Sequence, residues 1–526
     1  MSCAKKFGND YVPSGHVAAI LAKRHAVLGK LQADNTMLIA QLDDNDRTLY
    51  ADGSAANLKG DRDESLADEG DAFIFEPHYF YKGINDYLNN KKYHAFSSLD
   101  ETPQDPGKDS IKVKLSELVC YDGRGLSVSA MELGAVVEDA LTVYSTYNVY
   151  KIDVEGVKVI RFPACVSGTY GAAFADQGGN CVGVVRLGSL NGYVNGDYLF
   201  KEVPAGAKTL YFTTVQAFDA NCFADYCVKA FSSEITAVEP DWVEHDECLC
   251  AIYEANCSND IMRSISGVAA TNNMQCGQYT EMAAARKSGS GFQCVDYEMS
   301  KDVANLFYAK YGTRDSQMQC GYGSVTTASI AGKTDFLGMR DTINPNGEAN
   351  YGYYYNSLGT LTSIPAVNVM GYENWQGDSG EWMDTRRVGL ANGAKVTDSL
   401  GASRSTKVGV WQIKMNDGTT REVQGQTATS NYISRVVNGR FMDVIASYAN
   451  ATSTSGYADY HYYSGSASRV VLRSYNYAYA YGGVASANAN YDSSDANASY
   501  GSRLAFRGKI RWAKSVEEYK AAPMAA

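Results

Sequence analysis

The residues best suited to metal chemistry lie in one short stretch, "HDECLCAIYEANC", which contains His245, Cys248, Cys250 and Cys257. Imidazole and thiolate groups are ligands that zinc prefers, but C-x-C followed by a lone third cysteine lacks the paired C-x-x-C spacing of strong zinc sites. We favour the alternative, which is a group of free and mostly buried thiols. The sequence therefore predicts no metal and no cofactor.

A nucleophile with a base is equally hard to find. Ser379 in "GDSGEW" matches part of a nucleophile motif, but the full G-x-S-x-G spacing is missing, so a serine in a turn is favoured. All 12 cysteines lie between Cys3 and Cys320, and His461 is the only histidine after residue 245. Because the C-terminal part has no cysteine and only one histidine, it cannot supply both a nucleophile and a base. We therefore predict no catalytic residues and no enzyme activity.

The most unusual stretch is "SYNYAYAYGGVASANANYDSSDANASY" at residues 474–500, where tyrosines and then Ser or Asn alternate with alanine. This alternation predicts that small residues point inward and larger polar residues point outward. Tyr offers a rigid amphipathic ring and Ser and Asn offer adaptable hydrogen bonds, the mixture that fills antibody binding loops. A disordered or aggregation-prone tract is the alternative.

The N-terminal part of the chain has the pattern of an amphipathic helix. In residues 16–43, leucines recur at alternating spacings of three and four, with Arg24 and Asn35 at the two remaining positions of the stripe. A single Asn among leucines can fix the register of a coiled coil, so this pattern predicts a helix for self-association. A lone amphipathic helix packed on its own domain is the alternative.

The middle of the chain has the pattern of an all-β module. Residues 44–70 are polar, acidic and punctuated by glycine, which predicts an exposed linker. Between residues 118 and 232, short apolar runs alternate with Gly, Asn and Asp, which favours a β-sandwich. The run "VPAGAKTLYFTTV" in this stretch resembles the ending of jelly-roll modules that are similar to carbohydrate-binding domains on phage and bacterial surface proteins.

The C-terminal half carries a more specific resemblance. In "GFQCVDYEMSKDVANLFYAKYGTRDSQ", Val303, Leu306 and Phe307 share one side of a predicted helix that stops at Gly312. Together with "YEANCSNDIMRSISGV", "GYENWQGDSGEWMD" and "GSRLAFRGKI", in this order, residues 240–511 resemble the C-type-lectin-like fold of formylglycine-generating enzymes and of phage receptor-binding proteins diversified by retroelements. Formylglycine-generating enzymes use C-terminal cysteines to hold copper, and this chain has none after Cys320.

The genetic code supports the second of these two resemblances. Asn, Tyr, Ser, Asp and His codons are related to AAY by one change at an adenine, whereas an alanine codon of the form GCY has no adenine to change. Fixed alanines would then alternate with variable positions. The layout of residues 460–500 resembles the variable repeat of retroelement-diversified proteins. That resemblance implies a set of diversified binding residues, which are His461, Tyr463, Ser474, Tyr475, Asn476, Tyr477, Tyr479, Tyr481, Ser486, Asn488, Asn490, Tyr491, Asp495, Asn497, Ser499 and Tyr500.

The predicted fold class is a multidomain, β-rich α+β chain. The net charge of -12 argues against nucleic acid as a partner, and no apolar run predicts a signal peptide or a membrane span. The predicted parts are an N-terminal helical oligomerisation and attachment region (1–50), a linker with a small attachment module (51–115), a jelly-roll-like β-sandwich (116–235), a C-type-lectin-like domain (236–512) and a C-terminal tail (513–526).

The resemblance implies a phage tail-fibre tip that is synthesised in the host cytoplasm and carried on the virion. It would bind a host-cell surface receptor, either protein or glycan, and attach to tail or baseplate proteins through its N-terminal region. A homotrimer is expected by analogy with related fibre tips. A bacterial adhesin of the same fold, and an enzyme acting on surface polysaccharide, are the alternatives.

Overall fold

The computed structural model describes residues 14–525 apart from 63–64, 87–90, 103–109, 114–117, 129–130, 163–169, 186–199, 216–226, 232–241, 259, 324–333, 345–351, 357, 365, 378–379, 384–394, 399–408, 416–418, 428, 464–468 and 475–480. Strands far outnumber helices among these residues, which confirms the predicted β-rich class. The chain divides into two compact units. Unit 1 comprises Met1–Tyr79, His245–Val436 and Val444–Ala526, and unit 2 comprises Phe80–Glu244 and Val437–Asp443.

The α-helices all belong to unit 1, as far as the described residues extend. They are α1 (Gly15–Lys23), α2 (Cys276–Ala285), α3 (Tyr297–Tyr311), α4 (Ser316–Cys320) and α5 (Val516–Ala521). The predicted helix before Gly312 is confirmed as α3, because Asp296 caps its start and Gly312 ends it in the left-handed conformation with φ of 65°. Within the described part of the chain, none of the helices has the length and apolar character needed to cross a lipid bilayer.

The larger core of unit 1 is built on a seven-stranded sheet. Numbered in chain order, its strands run across the sheet as β19 (Phe292–Cys294), β35 (Leu504–Phe506), β16 (Cys248–Ala251), β3 (Asp71–Glu76), β1 (His25–Leu31), β2 (Met37–Gln41) and β36 (Ile510–Trp512). Phe73 and Leu249 of this sheet pack in one apolar cluster with Tyr279 of α2 and with Trp382. Residues from the beginning, middle and end of the sequence therefore share one core.

A nine-stranded sheet in unit 1 contains the Tyr-rich stretch. Its main path is β27 (Thr420–Gln426), β26 (Gly409–Lys414), β25 (Lys395–Asp398), β32 (Arg469–Arg473), β33 (Ala487–Tyr491), β31 (Tyr460–Tyr463) and β28 (Asn431–Tyr432). A side branch joins β24 (Gly380–Trp382) to β32 and to β34 (Tyr500–Gly501). Three short hairpins complete the unit, β17 (Asn256–Ser258) with β18 (Ile261–Arg263), β20 (Gly352–Tyr355) with β21 (Leu361–Ile364), and β22 (Asn368–Val369) with β23 (Tyr372–Glu373).

Unit 2 contains two antiparallel sheets that share an apolar core. One sheet has the order β11 (Cys181–Val185), β10 (Ala172–Ala175), β13 (Thr209–Val215), β8 (Leu141–Asp153) and β7 (Val119–Leu126). The other has the order β12 (Phe200–Glu202), β9 (Val159–Arg161), β14 (Cys227–Ala230) and β6 (Ser110–Val113). Phe174 and Phe212 of the first sheet pack with Ile160 and Cys227 of the second. This arrangement accounts for the regular short apolar runs of the sequence.

The remaining strands form a three-stranded sheet and a two-stranded sheet. The first has the order β15 (Val243–His245), β4 (Tyr79–Asp86) and β5 (Lys91–Ser97), and the second pairs β29 (Arg435–Asn438) with β30 (Asp443–Tyr448).

The predicted coiled-coil helix over residues 16–43 is wrong beyond Lys23. Residues His25–Leu31 and Met37–Gln41 instead form the antiparallel hairpin β1–β2 inside the seven-stranded sheet. Six of the seven residues of β1 are buried, because β1 lies between two neighbouring strands and is covered on both faces. A short apolar run with both faces buried fits a strand as well as a helix, so spacing alone could not separate them.

The two polar residues of the supposed leucine stripe have other roles. Arg24 lies at the end of α1, where its guanidinium donates to the carboxylate of Glu76 at 2.7 Å and 2.5 Å. Asn35 lies in the turn between β1 and β2 with φ of 66°, a conformation that Asn tolerates better than most residues. Neither residue specifies a helical register.

Two predicted appendages are parts of unit 1. Tyr50 and Glu69, from the supposed linker, are buried and hydrogen-bonded to each other at 2.9 Å. Tyr519, from the supposed tail, is fully buried on α5, and its hydroxyl donates to the carbonyl of Glu69 at 2.6 Å. The first 79 residues thus contribute to the same unit as the C-terminal half, contrary to the prediction of separate modules.

Candidate binding surface

Tyrosine rings meet at the edge of the nine-stranded sheet formed by β31 and β28. The ring centroid of Tyr460 lies 5.1 Å from that of Tyr432 on β28 and 4.4 Å from that of Tyr462 on β31. The ring of Tyr481, which precedes β33, lies 4.9 Å from that of Tyr460. All four side chains are partly exposed to solvent. We call these four residues the tyrosine cluster.

The cluster results from strict alternation along β31. Tyr460 and Tyr462 are partly exposed, whereas His461 and Tyr463 are buried. Successive side chains of a strand point to opposite faces, so the two exposed tyrosines share the outer face and the other two residues face the interior. The sequence "YHYY" therefore places two rings side by side on the surface.

Main-chain contacts hold three chain segments together beneath the rings. Tyr432 and Tyr460 are directly opposite each other in the antiparallel pair of β28 and β31. The N–H of Tyr460 donates to the carbonyl of Tyr481 at 2.8 Å, and the hydroxyl of Tyr460 donates to the carbonyl of Ser430 at 3.2 Å. The position of the rings is thus set mainly by the backbone and not by the neighbouring side chains.

A buried carboxylate supports the turn that follows Tyr481. Asp459 is fully buried, and its two oxygens accept hydrogen bonds from the side-chain amide of Gln317 at 2.9 Å and from the N–H of Ala485 at 2.8 Å. The Cα of Gly483 is so close to Asp459 and Ser316 that a Cβ there would overlap both side chains. Only glycine fits at this position of the turn.

A buried guanidinium completes the support of residues 483–486. Arg473 donates to the carbonyl of Val484 at 2.9 Å and to the carbonyl of Ala485 at 3.4 Å. The N–H of Val484 donates to the hydroxyl of Ser316 at 3.0 Å. Because these partners come from β32 and α4, the turn is attached to the interior independently of residues 475–480.

The electrostatics of the surface suit contact rather than acid–base chemistry. Burial lowers the pKa of His461 to about 4, so its imidazole is neutral near pH 7. Burial also raises the pKa of the Tyr432 phenol, which therefore keeps its proton. The rings of the cluster are partly exposed to solvent. Burial raises the pKa of Asp459 beneath them to about 7.

The structure divides the predicted binding residues into three groups. The buried residues are His461, Tyr463, Ser474, Ser486, Asn488, Ser499 and Tyr500. The partly or fully exposed residues are Tyr481, Asn490, Tyr491, Asp495 and Asn497. Tyr475, Asn476, Tyr477 and Tyr479 lie outside the described residues. The expectation that this whole set faces solvent is wrong for the first group.

The predicted alternation of buried alanines and exposed polar residues is not observed in β33. Ala487 and Ala489 are buried as predicted, but Asn488 between them is only 1% exposed. β33 lies between β32 and β31 and is covered on both faces at this point, so both sets of side chains are inside. Ala496, predicted to point inward, is exposed in the loop that follows.

Two of the buried residues anchor the stretch to the core. Tyr500 packs edge to face against Trp382 with ring centroids 5.3 Å apart, and both belong to the main apolar cluster. Ser474 is buried with φ of 57°, and its hydroxyl donates to the carbonyl of Trp375. Residues 475–480 are therefore flanked by Ser474 on one side and by the supported turn on the other.

Of the four cluster residues, only Tyr481 is among the residues predicted from the sequence. Tyr432 lies outside residues 460–500 and comes close to them because β28 pairs with β31. Tyr460 and Tyr462 are adjacent to the predicted His461 and Tyr463 and have the opposite parity. A shift of one residue reverses the face to which each side chain of a strand points. The sequence "YHYY" alone therefore does not tell whether Tyr460 and Tyr462 or His461 and Tyr463 are exposed.

The cysteines near His245 are not arranged as a metal site. Cys248 and Cys250 are free and buried on β16, and burial raises the pKa of both thiols. The Nδ1 atom of His245 is 2.8 Å from the carboxylate of Asp302, and its ring stacks on Tyr79. Across the described ranges, no three His, Cys, Asp or Glu side chains come together as metal ligands would. Ser379 lies outside those ranges.

Comparison of the sequence with protein-family models gives no match, and comparison with curated proteins gives no significant one.

Proposed function

We propose that this protein is a receptor-binding protein at the tip of a phage tail fibre and that it contacts host-cell surface molecules through the tyrosine cluster and residues 475–480. The single observation that carries the proposal is the contact of four partly exposed tyrosine rings at one sheet edge. Contiguous apolar patches on a protein surface often mark sites of interaction with a partner. Tyr is also the residue type that supplies most contact area at low entropic cost in binding loops.

The support beneath the surface suits a segment that varies in sequence. Asp459, Arg473 and Ser316 hold the turn after Tyr481 through its backbone groups. Backbone contacts do not depend on the side chains of neighbouring positions, so substitutions in residues 475–480 would leave these contacts in place. This division between a fixed interior and a changeable surface is what retroelement-driven diversification requires.

The finer assignments belong to the same proposal. Unit 1 would be the C-type-lectin-like domain, extended by residues 14–79, and unit 2 would be a jelly-roll-like module. Homotrimeric assembly and attachment to tail or baseplate proteins rest on the resemblance alone, because the helix predicted to mediate them is replaced by β1 and β2. The proposed location is the virion, after synthesis in the host cytoplasm.

A binding experiment on intact bacteria tests the role of the cluster. Fluorescently labelled protein is incubated with a panel of bacterial strains and cell-bound fluorescence is measured by flow cytometry. The double variant Tyr460→Ser, Tyr462→Ser should lose at least about tenfold in apparent affinity for the strain that binds, because anchor tyrosines commonly contribute 2 kcal/mol or more. Tyr448→Ser is the matched control, since Tyr448 is 55% exposed on β30 and lies outside the cluster.

Equal loss in the control, or unchanged binding by the double variant, would remove the cluster from the proposal. A second test concerns the genome from which the chain derives. The diversification hypothesis requires a nearby reverse transcriptase gene and a near-copy of the DNA encoding residues 460–500, with adenines at the variable positions. Absence of both would leave a binding protein that is not diversified in this way.

A bacterial adhesin of the same fold is the second candidate. Immunogold labelling of purified phage particles separates the two, because a tail-fibre protein is found on virions and an adhesin on cells. An enzyme acting on surface polysaccharide remains a third possibility, and the release of reducing ends from capsule would reveal it.

A further inference from the structure

Unit 2 carries a second group of tyrosines, which is separate from the tyrosine cluster of unit 1. The ring centroid of Tyr170 lies 4.7 Å from that of Tyr144 and 4.6 Å from that of Tyr147. Tyr144 is 40% exposed, and the other two side chains are partly exposed. We call these residues the tyrosine triad. Nothing in the proposed receptor-binding role of unit 1 explains it.

The backbone is locally rearranged to display the triad. In the pair of β7 and β8, Asp122 is opposite Asn148 and Arg124 is opposite Val143, so residues 144–147 of β8 face Gly123 alone. Gly123 has φ of 64°, and its N–H donates to the side chain of Asn148 at 3.0 Å, which closes the irregularity. Bulges of this kind commonly re-aim side chains next to functional sites.

The rings rest on a glycine that leaves room for them. A Cβ at Gly125 would lie 3.0 Å from Tyr144 Cδ2, which is tighter than most packing contacts, and 3.4 Å from Tyr170 Cδ1, an ordinary contact distance. A hydrogen bond between the hydroxyls of Tyr170 and Tyr144 raises the pKa of Tyr170 to about 12. Gly125 thus lies beneath the rings of Tyr144 and Tyr170.

The geometry excludes two of the ligands that aromatic groups commonly bind. Centroid separations of 4.6 to 6.3 Å leave no space between the rings for an alkylammonium group, so the triad is not a cation cage. The exposed charged side chains at the ends of the bulge are Asp122 and Arg124, one acid and one base. Because these two charges are opposite, the described part of this surface does not favour a phosphate-linked nucleobase.

We propose that the tyrosine triad binds a neutral glycan, with the apolar face of a pyranose ring against the rings. Such a sugar has C–H groups on one face and hydroxyls at its edge, and it matches a surface of aromatic faces bordered by phenolic hydroxyls and by exposed Ser145 and Thr146. Opposite charges at the two ends of the bulge suit a ligand without net charge. The inference is independent of the function proposed for unit 1.

Affinity electrophoresis of the full-length protein tests this inference. The protein migrates through native gels that contain dextran, mannan, galactan or β-1,3-glucan, and through a gel containing the polyanion hyaluronan. We expect retardation in at least one neutral gel, and about tenfold weaker retention for Tyr144→Ala and for Tyr147→Ala. Tyr144→Phe and Tyr170→Phe keep the rings and should retain binding within about threefold.

Controls separate this site from other surfaces. Leu133→Ala removes a side chain that is 75% exposed in unit 2, and it should not change retention. Gly125→Ala should weaken retention without removing a ring, because its Cβ would lie 3.0 Å from Tyr144 Cδ2 and shift that ring. The double variant Tyr460→Ser, Tyr462→Ser should be retained like the unmodified protein. Thermal melts identify any variant that fails to fold.

Three results would overturn the inference. They are no retardation in any neutral gel, retardation only by hyaluronan, and retardation that persists in both alanine variants. Loss of glycan retention in the Tyr460→Ser, Tyr462→Ser variant instead would transfer glycan binding to unit 1.

Discussion

At the residue scale, the interior of unit 1 contains the buried carboxyl group of Glu373. Glu373 accepts hydrogen bonds from the N–H and the hydroxyl of Thr334, both at 2.8 Å, and it lies close to the carboxyl group of Asp335. Burial, together with Asp335, raises the pKa of Glu373 to about 7. Burial also raises the pKa of Asp335. Protonation therefore favours the folded state of this region.

Stability should consequently fall as pH rises across this range. Between the unfolded pKa of about 4.5 and the folded pKa of about 7, Glu373 is protonated in the folded state and mostly ionised in the unfolded state. The unfolded state therefore binds fewer protons in this range, and the free energy of unfolding falls as pH rises. The Glu373→Gln variant should lack this decrease, which amounts to roughly 3 kcal/mol between pH 5 and pH 8. Urea unfolding at both pH values, followed by tryptophan fluorescence, measures the difference.

The fluorescence signal reports mainly on unit 1, because four of the 5 tryptophans, Trp375, Trp382, Trp411 and Trp512, belong to it. Glu422→Gln, at an exposed position of β27, controls for the substitution itself. Identical pH dependence in Glu373→Gln and the unmodified protein would show that Glu373 titrates as it does in the unfolded chain.

At the element scale, the turn between Tyr481 and β33 connects the buried interior to the tyrosine cluster. Asp459 and Ser316 accept hydrogen bonds from consecutive N–H groups of the turn, those of Ala485 and Val484. The carbonyl of Tyr460 accepts from the hydroxyl of Ser486 at 3.1 Å. These hydrogen bonds connect the turn both to β31 and to the interior of unit 1.

Gly483→Ala should disturb this turn. Its Cβ would overlap the side chains of Asp459 and Ser316, and forcing an atom into a packed interior costs about 1–3 kcal/mol. The free energy of unfolding in urea should fall by that amount. Gly277→Ala is the matched control, because nothing lies within 4 Å of a Cβ there and alanine favours the helix α2. Equal stability of the two variants would mean that the turn is not packed as described.

At the scale of the whole molecule, the strand β1 and the helix α5 meet within unit 1. The Nζ of Lys30 on β1 donates to the carbonyl of Tyr519 on α5 at 3.2 Å, and the N–H of Ala525 donates to the carbonyl of Leu31 at 2.8 Å. The Tyr519 ring packs edge to face against Tyr50 at 6.0 Å. The packing of unit 1 thus includes contacts between residues almost 500 positions apart in sequence.

Tyr519→Ala should therefore destabilise unit 1 substantially. The side chain is fully buried and its hydroxyl is hydrogen-bonded to Glu69, so removal of the ring leaves a cavity and an unpaired carbonyl. Aromatic-to-alanine changes in a core cost about 3–5 kcal/mol. Tyr355→Ala, at a side chain that is 46% exposed on β20, should change stability by less than about 0.5 kcal/mol. A silent Tyr519→Ala would indicate that residues 513–526 are a detached tail.

The sequence by itself determined those features that depend on local chemistry. The end of α3 followed from Gly312, which adopts the left-handed conformation more readily than other residues. The short apolar runs between residues 118 and 232 indicated strands, because their spacing and turn residues act locally. The burial of Trp375 and Trp382 near glycine-rich turns was likewise predictable from residue types.

Only the tertiary structure decided which faces are covered. Residues 25–41 have an apolar pattern that fits a helix, but β1 lies between β2 and β3, and pairing across the sheet determines the strand. On β31 the register decides that Tyr460 and Tyr462 point outward, and on β33 the neighbouring strands bury Asn488 along with the alanines. Exposure depends on contacts between segments far apart in sequence, and no local pattern contains that information.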